Sequence, residues 1–146
     1  MLVQRLLPVA QERLVTIADD APLIEAAKLL RPGTDLLVVC SREGALAGVL
    51  TKTDVVGQIS HCQGCTCVAA ASLAMSRDVF RCGVDDQLQD VWAQMKQRGL
   101  KNVPIADGQS RPLGILTARD VLQLLLQEVE YEELLLRDYV MGIGYH

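Results

Sequence analysis

The sequence predicts an α/β (α+β) chain built as two β-α-β-β-α repeats that pack through their sheets as a pseudo-two-fold pair. Three observations predict it. The stretch G-V-L-T-K-T-D-V-V at Gly48–Val56 returns as G-I-L-T-A-R-D-V-L at Gly114–Leu122, with its Gly, Thr and Asp each 66 positions on, the mark of an internal duplication. Apolar runs of strand length and segments of helical spacing follow one another in the same order on either side. Each half, at about 55 residues, is too small to bury a sufficient core alone, so the halves must share one.

The elements follow in order. Residues 1 to 13 read as a short lead-in. Leu14 to Ile17 has strand character, with Thr16 inside it, and Asp19-Asp20 with Pro22 marks a helix start. Leu23, Ala26, Ala27 and Leu30 share a helical face, and Pro32-Gly33 ends it. Leu36 to Cys40 is a continuous apolar run, Ser41 to Gly44 a turn, and Ala45 to Leu50 another strand. Thr51 opens a helix towards Ile59. The second half predicts a strand over Val79 to Cys82, a cap pair at Asp85-Asp86, and a helix through Leu88, Val91, Trp92 and Met95 that Gly99 ends. Strands follow over Asn102 to Ala106 and Pro112 to Leu116, and Thr117 opens a last helix through Leu122, Leu125, Leu126 and Val129.

Composition narrows the function classes. Half the residues are hydrophobic but only 3% are aromatic, so the core is aliphatic. With a formal charge of −4 and one Phe, the chain lacks the basic stripe and stacking rings of a nucleic-acid module, and no direct nucleic-acid partner is expected. The N-terminal stretch is broken by Arg5, Pro8, Gln11, Glu12 and Arg13. No apolar run approaches the ~20 residues of a membrane span, so a cytoplasmic protein without a membrane partner is expected. Five unevenly spaced cysteines fit a reducing compartment better than a disulfide framework.

The duplicated strand–helix order, closed each time by G-x-x-T-x-x-D, resembles a tandem pair of cystathionine β-synthase (CBS) domains. Met75-Ser76-Arg77-Asp78-Val79 is similar to the M-[ST]-x-x-[VI] lead-in found before many such repeats. Arg98 to Ile105 is similar to the R-G-[IL]-x-x-[LV]-P-V stretch. The resemblance implies a first repeat over residues 8–60, a cysteine-containing connecting segment over 61–74, a second repeat over 75–128, and a helical extension and tail over 129–146. It also implies a stand-alone regulatory, or Bateman, module: a homodimer that binds AMP, ADP, ATP, NAD(H) or S-adenosylmethionine between its repeats and acts in trans on a partner protein.

The residues give physical content to that implication. Thr51 and Thr117 begin helices, where free N–H groups and the helix dipole favour phosphate. Asp54 and Asp120 lie one turn on, and a carboxylate, which only accepts hydrogen bonds, suits the two hydroxyls of a ribose. The resemblance assigns phosphate contact to the threonines and ribose contact to the aspartates. It adds Thr16 as a ligand-contacting position, with a counterpart near Arg81. Arg119, whose guanidinium offers a fork for phosphate, makes the Asp120 cleft the better equipped of the two. Lys52, Arg98 and Lys101 are further cations nearby. The same Thr and Asp pattern is also ordinary helix capping, so both readings stand at this point.

His61, Cys62, Cys65 and Cys67 lie outside the CBS pattern. Their spacing admits a zinc site, a thiol switch or inert cysteines. Cys40 and Cys82, on strand-like runs, read as small buried hydrophobes. Only His61 and His146 are histidines and no nucleophile–base set is visible, so catalysis is not expected. The alternatives to nucleotide sensing are a metal- or redox-responsive interaction protein and a ligand-free dimerisation module. Leu134 to Leu136 in the acidic tail predicts packing against a partner subunit or back over the core.

Overall fold

The computed structural model describes residues 1–60 and 69–144. After a 3-10 turn at Val3–Leu6, the elements are α1 (Leu7–Arg13), β1 (Thr16–Ala18), α2 (Leu23–Leu29), β2 (Leu36–Cys40), β3 (Leu46–Thr51) and α3 (Lys52–Ser60). A short 3-10 turn at Ala71–Leu73 leads to α4 (Leu88–Arg98), β4 (Asn102–Ala106), β5 (Pro112–Thr117) and α5 (Ala118–Gly144).

The first sheet has the order β1-β2-β3, with β1 parallel to β2 and β2 antiparallel to β3. The second is the antiparallel pair β4-β5. Its register repeats the first: Leu36 opposes Thr51 and Leu37 opposes Leu50, as Asn102 opposes Thr117 and Val103 opposes Leu116. The strand expected over Val79–Cys82 does not form. A single parallel bridge, Cys82 to Ile105, takes its place. Val79 and Phe80 enter two different apolar clusters.

Successive strand residues point to opposite faces, and both faces of β2 are covered. Leu37 and Val39 join Leu23, Ala26, Leu50 and Val55 under the helices of the first repeat. Val38, between them, meets Leu46 and Ile115 from the facing sheet, with Leu14, Leu36, Cys40 and Val79 around them. The two repeats are therefore joined through their sheets, as expected. Leu46 N–H donating to the Ser110 carbonyl at 2.7 Å ties the same seam. The second repeat has its own cluster, in which Leu88, Met95, Val103, Leu116 and Val121 are almost fully buried.

Each repeat is completed by a segment that precedes the other. Val3 N–H donates to Asp86 O, Gln4 N–H to Val84 O, and Leu88 N–H to Met1 O. In the other half Ala71 N–H donates to Ala21 O, Ser72 N–H to Asp19 O, and Leu23 N–H to Ala69 O. The lead-in is thus helical and docked: its buried residues, Val3 and Ala10, belong to the core of the second repeat, not the first.

The repeated glycines allow this crossing. A Cβ on Gly114 would stand 2.8 Å from the carbonyl carbon and Cβ of Ala10, and one on Gly48 would stand 2.6 Å from the Ser76 carbonyl oxygen and 2.8 Å from Met75 Sδ. Ala10 thus crosses the second glycine where Met75 and Ser76 cross the first. At the end of α4, Gly99 adopts φ 66°, and Leu100 N–H returns to the Met95 carbonyl at 2.9 Å. That is the left-handed cap for which a residue without Cβ is suited.

Cys82 is buried, and Cys40 is half-buried. Burial, then the negative charge of Asp86, pushes the Cys82 thiol up to about 12. Burial, then Asp19, raises Cys40 as well. A thiol that resists ionisation in the folded state stabilises the fold in full below the ordinary value of 9.0, and loses that contribution as pH climbs towards 12. Denaturant melts at pH 8 and pH 11 are expected to show a smaller alkaline loss for Cys82→Ala than for the native chain. Equal losses would show that Cys82 ionises no later than a thiol in the unfolded chain.

No helix among the described residues is long and apolar enough to cross a membrane. The last helix packs on the core through Val121, Leu124 and Leu125, but Leu134 to Leu136 do not fold back over it. The helix runs on as one rod to Gly144, and every side chain from Val129 to Tyr139 is exposed.

Candidate functional site

The two G-x-x-T-x-x-D motifs sit at the β3–α3 and β5–α5 junctions. In the first, Thr51 Oγ1 accepts from Asp54 N–H at 3.3 Å, while Asp54 Oδ2 accepts from Thr51 N–H at 2.9 Å and from Thr51 Oγ1 at 3.0 Å. This is a closed capping box, in which each residue satisfies a helix-end donor of the other. Asp54 accepts both bonds through Oδ2, and among the described residues its Oδ1 carries none.

The second motif keeps half of that arrangement. Thr117 Oγ1 accepts from Asp120 N–H at 3.1 Å. The Asp120 carboxylate is turned elsewhere, onto Arg13 at the end of α1. Arg13 Nε donates to Oδ2 at 2.7 Å and Nη2 to Oδ1 at 3.1 Å. Both oxygens are engaged, and the Asp120 side chain is 10% exposed. A paired fork of this kind is among the stronger polar contacts a protein makes.

The space beside the motifs differs accordingly. A cavity of about 590 Å³ lies against Thr51, Lys52 and Thr53, a size within the usual range for small-molecule sites. Asp35, Leu36 and Val49 of the first repeat continue this wall, and the second repeat supplies the rest: the segment Asp78–Phe80 and the loop from Gly99 into β4, with Lys101 and Asn102. The equivalent hollow at Thr117 is walled by Arg13, Gly33, Thr34 and Asp35 and measures about 50 Å³, room for a water or two. Each hollow therefore combines the motif of one repeat with the lead-in and loop of the other.

Of the sequence-predicted residues, Thr51 and Thr117 border these hollows, with Asp54 and Asp120 behind them on the same helices. Arg119 is exposed, and the guanidinium at Asp120 belongs to Arg13 instead. Thr16 is exposed on β1 and lines neither hollow. Arg98 stacks at 5.0 Å over Phe80, a ring in the larger cavity wall. Lys52 and Lys101 both reach that cavity. His61, Cys62, Cys65 and Cys67 lie outside the described residues. Elsewhere, among the described residues, no group of three His, Cys, Asp or Glu is placed to hold a metal ion.

Arg13 and Asp78 escaped sequence reasoning. A signal existed: counting back from the equivalent helix starts Leu23 and Leu88 by the same ten residues lands on Arg13 and Asp78.

Two half-repeats exchanging lead-in segments, with a hollow between each motif and the opposite repeat, define a duplicated α/β module with paired interdomain clefts. The chain belongs to the CBS domain family: the family model matches residues 7–61 and again 70–127. Among curated relatives it is 24% identical over 111 residues to the L-aspartate semialdehyde sulfurtransferase of Methanocaldococcus jannaschii, covering 75% of this chain and 21% of that protein. It is 25% identical over 118 residues to an uncharacterised protein of Methanopyrus kandleri, covering 80% of this chain and 60% of the other. The chain thus spans less than two thirds of the length of either relative.

Among solved structures, a CBS domain pair in complex with 5′-methylthioadenosine and S-adenosyl-L-methionine matches with a TM-score of 0.70 at 22% identity, covering 88% of this chain and 98% of that one. A CBS-domain containing protein from Agrobacterium tumefaciens matches with a TM-score of 0.71 at 25% identity, covering 85% and 98%.

Proposed function

We propose that the chain is a non-catalytic regulatory module that binds an adenosine-containing ligand in the cleft beside Thr51 and signals to a partner protein in trans. The observation that carries this reading is the 590 Å³ cavity walled by the first motif and the second repeat. Its chemistry fits such a ligand. Thr51 and the first N–H groups of α3 face phosphate or another anionic group, with Lys52 and Lys101 beside them. Asp54, one turn behind Thr51 with Oδ1 unbonded among the described residues, suits a ribose hydroxyl, and Phe80, Leu100 and Pro104 in the cavity wall offer apolar surface to a purine. The bound 5′-methylthioadenosine and S-adenosyl-L-methionine of the solved CBS pair support the ligand class. AMP, ADP, ATP and NAD(H) remain within it.

A ligand that spans both repeats stabilises one relative packing of the two, and a partner reads that shift. The module acts in this reading as a cytoplasmic homodimer, with residues 8–60 and 75–128 as its two repeats, joined by 61–74 and followed by the helical extension of 129–146.

Calorimetric titration with AMP, ATP, NADH, 5′-methylthioadenosine and S-adenosylmethionine tests the proposal. At least one is expected to bind, and Asp54→Ala is expected to weaken it by tenfold or more, about 1.4 kcal/mol. The substitution removes both the ribose acceptor and the group that fixes Thr51. No heat and no thermal shift with any of the five would exclude these ligands.

A further inference from the structure

The two clefts are built alike, yet one is open and one is shut. The crossing segments are equivalent: Ala10 lies on Gly114 as Met75 and Ser76 lie on Gly48, and the residues that follow, Leu14 and Val79, both enter the cluster between the sheets. Three residues beyond Ala10 and Met75 stand Arg13 and Asp78. Arg13 reaches across to Asp120 of the second motif. Asp78, in the wall of the open cavity, has the wrong charge to do the same to Asp54. The charge reversal at this one position accompanies the difference between the two hollows, about 50 against about 590 Å³.

We propose that Arg13 occupies the second cleft as a built-in substitute for ligand, so that the residue at this position, arginine in one segment and aspartate in the other, decides which cleft is available. The inference rests on the adenosine-ligand reading above and adds the number and place of the sites. A ribose presents neutral hydroxyls to Asp120, whereas Arg13 presents a charged fork with two bonds. Charge-assisted pairs of that kind are roughly twice as strong as neutral ones, so a ribose does not displace the guanidinium. At Thr51 no such competitor exists among the described residues. The preference for the Asp120 cleft drawn from Arg119 is thereby reversed: the arginine that matters there belongs to α1, and it excludes ligand.

Titration of the full chain with AMP and, separately, with 5′-methylthioadenosine tests this. The native chain is expected to bind one ligand per chain, and Arg13→Ser two. Asp78→Arg is expected to lose binding by at least about tenfold, by placing a guanidinium beside Asp54. In the double exchange Arg13→Asp with Asp78→Arg, the single site moves. Binding then becomes sensitive to Asp120→Ala and insensitive to Asp54→Ala. Two sites in the native chain, or one site in a folded Arg13→Ser variant, would overturn the proposal.

Deuterium exchange without ligand gives an independent arm. The α1 amides are expected to exchange faster in Arg13→Ser than in the native chain, and unchanged protection would also count against the latch. If the native chain binds neither probe, the ligand reading fails for those compounds while the exchange result still decides whether Arg13 holds the second cleft shut.

Discussion

Replacing Val3 by aspartate is expected to unfold the chain, at a loss of about 4 kcal/mol or more. Val3 is fully buried in the cluster that contains Cys82, Leu88, Val91 and Met95. A carboxylate there finds no partner, and the effect falls on a repeat whose core residues, Ala10 apart, begin about eighty positions later. Its neighbour Leu2, 36% exposed, serves as the control, and Leu2→Asp is expected to stay within about 1 kcal/mol. Urea titrations followed by circular dichroism measure both. Equal, small shifts in midpoint would show that the first residues do not dock on the second repeat.

Gly114→Val is the second large effect, about 3 kcal/mol. The obstacle at Gly114 is backbone: the carbonyl carbon of Ala10 at 2.8 Å and its oxygen at 2.9 Å from a new Cβ. A side chain could rotate away, but α1 must move as a body. Moving it also strains the Arg13–Asp120 pair at the same end of the helix. Gly108, where an added Cβ would meet nothing within 4 Å, provides the comparison, and Gly108→Val is expected to change stability by no more than about 0.5 kcal/mol. A mild Gly114→Val, comparable with Gly108→Val in thermal melts, would mean the close approach of α1 to β5 is not required.

The repeats are legible in the sequence because their signals are local. Leu36–Cys40 and Asn102–Ala106 coincide end to end with the strands expected there, and Gly99 marks its helix end through its own backbone conformation. Residues 1 to 13 read only as a lead-in because what makes them helical and docked is remote. Val3 and Ala10 have no apolar partner nearby in sequence that explains them, and the sheet they cover is formed from residues beyond 100. Val79–Cys82 has a strand's composition, but only Cys82 pairs, through its bridge to Ile105.

The candidate site divides in the same way. Thr51 with Asp54, and Thr117 with the Asp120 amide, can be read from spacing because capping is an interaction over three residues. An arginine beside Asp120 is also expected, but Arg119 is the neighbour in sequence, whereas the arginine in contact lies 107 positions earlier. Nothing in the periodicity of either segment reports which of two guanidinium groups folds over a carboxylate.

The exchange of lead-in segments bears on how the chain is made. Residues 14–60 leave the ribosome before the Ala69–Ser76 stretch that lies along β3 and α2. Meanwhile α1 must wait for β5. Neither half can therefore finish folding as it emerges, although larger chains generally fold domain by domain from the N-terminus. The nascent first repeat carries an unfilled place at Gly48 until the second begins, and α1 presents apolar surface to the cell until synthesis passes Thr117. A pause in translation between these points would hold two incomplete cores open at once, and chaperone dependence should peak there.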